Sequence, residues 1–119
     1  MIDVEGCWLG VVTHGSQVFR YHWCLKQVGI EVLGVISLSM PDGSWPGSYR
    51  MHGNVRDISL WFEGIEFIFD PGRWCLATGL LQYSSFPDGL VELRGTWGPL
   101  NVRGGCPPGC FGDVILRQG

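Results

Sequence analysis

The residues best suited to chemistry are large rings and guanidinium groups. Six Trp, six Phe and three Tyr occur in 119 residues. Seven of the eight basic residues are Arg (Arg20, Arg50, Arg56, Arg73, Arg94, Arg103 and Arg117), and Lys26 is the eighth. Rings offer flat faces on which a base or polycycle can stack. Arg forks match the oxygens of phosphate or carboxylate. Together they suggest a flat, partly anionic small ligand. Tyr21, Trp23, Tyr49, Trp61 and Tyr83 are the candidate ring contacts, with Arg50 and Arg73 as the charge complement. The competing explanation is packing. It is preferred for Trp8 and Trp97, each beside glycine like a ring that plugs a barrel floor. High Arg usage can also simply reflect a GC-rich genome.

The other reactive groups form no recognisable motif. Cys106-Pro107-Pro108-Gly109-Cys110 resembles half a zinc knuckle, but a structural zinc site wants a second close pair. Cys7, Cys24 and Cys75 are scattered, and His14, His22 and His52 stand singly. No metal site and no cofactor are therefore expected. A local disulfide or two free thiols suits Cys106 and Cys110. Asp57, Glu63 and Glu66 near Arg56 read as a solvated acidic face. A carboxylate turned inward would instead be tuned for acid–base work. That leaves a second function class open, a cavity enzyme of cyclase or isomerase type using Tyr21, Tyr49 or Glu63.

These residues are carried by short apolar runs, each stopped by Gly, Pro, Asp or Asn. Gln17 to Gln27 alternates most clearly, with Phe19, Tyr21, Trp23 and Leu25 on one face and Arg20, His22, Cys24 and Lys26 on the other. Further strands are expected from Val4 to Thr13, Ile30 to Met40, Ser48 to Val55, Asp57 to Glu63, Arg73 to Tyr83, Leu90 to Trp97 and Phe111 to Arg117. Ile65 to Phe69 continues the fifth strand past a bulge at Gly64 or forms its own. Pro41 to Gly47 is the strongest loop signal, with Trp45 at its tip. Roughly eight strands with hairpin connections predict an all-β, antiparallel up-and-down meander barrel spanning residues 1–119 as one domain. A two-layer sandwich is the structural rival.

Composition narrows the partners. Charged residues are only 16%, so some apolar surface is expected to meet a ligand, a partner or a second copy of the chain. The net charge of −3 argues against a nucleic-acid polymer. No run approaches the length of a membrane helix. The acidic start Met1 to Glu5 lacks a leader pattern, so a cytoplasmic protein with reduced thiols is expected.

The opening Gly6-Cys7-Trp8, the meander of short strands and the closing strand ending in Arg117 resemble lipocalin-like (calycin) barrels. That resemblance implies a ligand inside the barrel and an arrangement in which Arg117 packs over Trp8. More loosely, Gly6-x-Trp8-x-Gly10, Leu25-Lys26-Gln27, Leu93-x-Gly95-x-Trp97 and the Gly112 to Arg117 ending are similar in layout to the minimal β-barrel cyclic-dinucleotide sensors of bacterial CBASS antiphage effectors. Those sensors are normally fused to two membrane helices. This second resemblance implies a non-catalytic receptor for a nucleotide-type signal. A structural protein-interaction barrel, docking through strand edges or the Trp45 loop, is the third reading.

Overall fold

The computed structural model describes residues 1–70, 72, 74–99 and 111–118. Eight antiparallel strands close on themselves in chain order. They are β1 (Gly6–His14), β2 (Gln17–Val28), β3 (Glu31–Ser39), β4 (Gly47–Arg56), β5 (Ser59–Phe69), β6 (Ala77–Ser85), β7 (Val91–Pro99) and β8 (Gly112–Gln118). β1 pairs with β8 and shuts the barrel. The predicted up-and-down meander is the fold, and the sandwich alternative falls away. Ile65 to Phe69 continues β5, with register irregularities between Ser48 and Tyr49 and between Arg50 and Met51 on the facing strand. The sixth strand starts at Ala77, later than the apolar run from residue 73 suggests.

Strand alternation does the sorting. Trp8, Trp23, Ile36, Tyr49, Phe62, Leu81, Leu93 and Leu116 point inward and are fully buried. Packing is ring against ring: Trp23 lies 4.7 Å from Phe62 and 5.6 Å from Tyr21, edge to face. Two-residue turns at Gly15–Ser16 and Gly29–Ile30 set the register of β1 to β3, each with its glycine at φ 60°. One barrel end is covered by the N-terminal segment. There Val4 is fully buried, its amide donates to Gln27 Oε1, and its carbonyl accepts the Trp8 indole at 2.9 Å. At the other end Trp74 packs edge-on to Phe19 and donates to the Trp45 carbonyl at 2.7 Å. Trp97 sits at the rim, half-buried, donating to the Thr13 carbonyl.

The two central indoles differ in one respect. Trp8 Nε1 has an acceptor, whereas buried Trp23 Nε1 has no hydrogen-bond partner among the described residues. Trp8→Phe should therefore destabilise the barrel by about 1–2 kcal/mol more than Trp23→Phe, since only the first orphans a carbonyl and loses a bond. Urea denaturation of the two variants measures the difference. Equal losses would mean that Trp23 also has a partner in solution.

The Arg117 placement implied by the calycin resemblance is not found. Arg117 lies opposite Leu9 on the outer face, 3.4 Å from Glu92, while Trp8 points inward opposite Gln118. Adjacent positions on a strand face opposite sides of the sheet, so pairing with Leu9 takes Arg117 away from the ring.

Candidate functional site

The structure does not gather the predicted ligand contacts in one place. Tyr21, Trp23 and Tyr49 are inside, packed on one another and on Phe62 and Phe67. The Tyr21 and Tyr49 hydroxyls meet at 3.4 Å. Burial pushes the Tyr21 phenol up to about 12, against the Tyr49 hydrogen bond, which lowers it. Tyr49 is raised well above its ordinary value, first by burial and then by Tyr21. A ligand stacking on these rings would have to displace core packing. Arg50 is outside and 3.5 Å from Glu66. Trp61 is half-buried on the outer face beside His52, and Tyr83 is half-buried on β6. Arg73, Cys106 and Cys110 lie outside the described residues.

Glu63 is half-buried on the outer side of β5, opposite His52. Among the described residues the buried carboxylate is Glu92, which composition gives no reason to single out. It is 7% exposed, beneath Arg94 at 2.9 Å and Arg117 at 3.4 Å. Both guanidinium groups are mostly in water, so this cluster adds little stability.

The outer face forms a grid. One transverse row runs Glu92–Arg117–Leu9–His22–Ser37–Ser48–Phe69 across seven strands. Beside it, Arg20 faces Val11 on one side and Ser39 on the other. The loop after β3 folds against this corner. Asp42 Oδ1 accepts from the Ser44 amide and hydroxyl, which holds its carboxyl below the usual range. The Met40 amide donates to the Ser44 carbonyl at 2.9 Å.

Loop and sheet enclose a groove of about 420 Å³ lined by Leu9, Arg20, His22, Ser37, Ser39, Gly43, Pro46, Ser48 and Phe69, with Tyr21, Leu38 and Gly47 at its inner edge. Arg20 has no carboxylate partner among the described residues, unlike Arg50, Arg94 and Arg117. The Ser37 and Ser48 hydroxyls are also without partners there. A cation, an imidazole and several hydroxyls beside Phe69 can take an anionic group and an adjoining flat body. Alternation put Arg20 and His22 on one face from sequence alone. The serines that complete the groove carry no signal of their own.

The expected reduced thiols are not what the chain shows. Cys7 and Cys24, directly opposite on β1 and β2, form a disulfide, and Cys75 is also disulfide-bonded. His22 Nε2 lies 3.6 Å from Cys24 Sγ. Cys7 and Cys24 look scattered in sequence because the hairpin register that joins them acts at a separation of 17. No helix among the described residues is long and apolar enough to cross a membrane.

No family model matches the chain, and no solved structure matches it. It is similar to the UPF0225 protein of Shewanella sp. strain MR-4, 33% identical over 66 residues, covering 50% of this chain and 38% of that protein. The UPF0225 protein of strain ANA-3 matches to the same extent, so the similarity spans well under half the length of these relatives.

Proposed function

We propose that the barrel is a non-catalytic module that binds a small, flat, partly anionic ligand on its outer surface, in the groove between the β2–β4 face and the loop after β3. The observation that carries this is Arg20, an outward cation with no carboxylate partner among the described residues, set among His22 and partnerless serine hydroxyls. Its volume suits a mononucleotide-sized ligand, and cyclic nucleotides, the signal class of the CBASS sensors, are the first candidates. The interior rings serve as the rigid support of that surface. In a cytoplasmic setting Cys7 and Cys24 would be held as thiols.

Calorimetric titration with a panel of mononucleotides, cyclic mononucleotides and cyclic dinucleotides tests the reading. At least one member should bind. Arg20→Ala should weaken it about 10- to 100-fold, the loss of a charge-assisted hydrogen bond. Arg50→Ala, already paired with Glu66, should leave the affinity within about twofold. Absence of heat across the panel would remove the proposal.

A further inference from the structure

We propose that the reduced chain binds one thiophilic divalent metal ion of the Zn²⁺ class through Cys7, Cys24 and His22, and that oxidation to the disulfide expels it. The inference does not rest on the groove ligand, although His22 belongs to both sites. Three features of the hairpin carry it. The β1–β2 register sets Cys7 directly opposite Cys24. The two-residue period puts His22 on the same outer face as Cys24, diagonal to Cys7. The two Sγ atoms and the imidazole nitrogen accordingly lie within 4.8 Å of one another. Cys7 and His22 are exposed and Cys24 is half-buried, so an ion can reach the site without unfolding the barrel.

Two thiolates and one imidazole form a donor set that zinc favours, and three protein ligands leave a fourth position for water or an exogenous group. The cysteines must be thiolates to bind, so metal and disulfide are mutually exclusive states of one pair. With a hydroperoxide as oxidant, each thiolate loses one electron and the Sγ–Sγ bond forms. The O–O bond breaks, and with two protons taken up hydrogen peroxide leaves as two waters. The metal departs as the hydrated dication. Reduction by a thiol restores both ligands, so the hairpin exchanges a metal cross-link for a covalent one.

Cobalt(II) titration of the full chain, reduced and freed of metal under anaerobic conditions, tests this. The thiolate-to-cobalt charge-transfer band should reach full intensity, disappear on adding hydrogen peroxide with release of the ion, and return on reduction. Cys7→Ser and Cys24→Ser should each lose the Cys7–Cys24 contribution. Cys75, Cys106 and Cys110 remain in every variant and report any other thiolate site. His22→Ala should weaken binding at least about tenfold. A wild-type chain without the band, or a band of unchanged intensity and affinity in both Ser variants, overturns the proposal. Should a Ser variant fail to fold, unaltered affinity in His22→Ala, a change confined to the outer surface, overturns it equally.

Discussion

Gly10→Ala should open the barrel at its closing seam and lower stability by about 3 kcal/mol or more, above the usual range for an overpacked core. A β-carbon at position 10 would lie 1.8 Å from the Ile115 carbonyl oxygen and 2.9 Å from Leu116 Cα. Those atoms are backbone of β8, so no side-chain rotation relieves the clash. The strand itself must move, and with it the pairing from Trp8–Gln118 to Val12–Val114 that closes the sheet. Gly98→Ala is the control. A β-carbon there meets nothing within 4 Å among the described residues and the backbone φ is not positive, so the change should stay within about 0.5 kcal/mol. Urea denaturation of both variants reads the contrast. Equal stability of the two would mean that β1 and β8 do not approach this closely in solution.

The second large effect is alkaline. Burial raises Tyr21 to about 12 and places Tyr49 well above its ordinary value. The unfolded chain holds both phenols near 10. A group whose folded value is the higher one contributes stability that is complete below the unfolded value and lost as pH rises through the folded one. The stability contributed by these phenols should therefore be constant below pH 10 and fall steadily from pH 10 to 12. Tyr21 alone accounts for roughly 2–3 kcal/mol of that fall. Combining Tyr21→Phe with Tyr49→Phe should remove most of this slope, at a cost of about 1 kcal/mol for the lost hydroxyl contact. Urea midpoints across this range, with tyrosinate absorbance recorded in parallel, measure it. Both phenols ionising near 10 in a folded barrel would mean that water reaches the interior.

The barrel was legible because its strands alternate. Phe19, Tyr21, Trp23 and Leu25 against Arg20, His22, Cys24 and Lys26 settles the faces of β2, and Gly15 and Gly29 mark the turns on either side. Alternation says that Trp23 and Tyr49 point inward. It does not say whether inward rings border a hollow or fill it, because that depends on barrel radius and on six other strands. The groove was less legible. Ser37, Ser39 and Ser48 acquire meaning only once β3 and β4 are set beside Arg20 and His22. The Cys7–Cys24 pair was latent in the turn. Once Gly15–Ser16 is the whole connection, each residue of β1 has a fixed partner on β2 and Cys7 falls opposite Cys24. Reading the turn one residue longer, from His14, hides that pairing.

Buried rings fill the interior, and the proposed ligand is held outside it. Amide and indole chemical shifts, followed while the best nucleotide of the calorimetric panel is titrated into isotope-labelled protein, test this most directly. Signals of Arg20, His22, Ser37, Ser39 and Ser48 should move together, and the Trp8 and Trp23 indole signals should stay in place. Movement of the Trp23 indole, with the Arg20 face unchanged, would put the ligand inside the barrel and contradict the account.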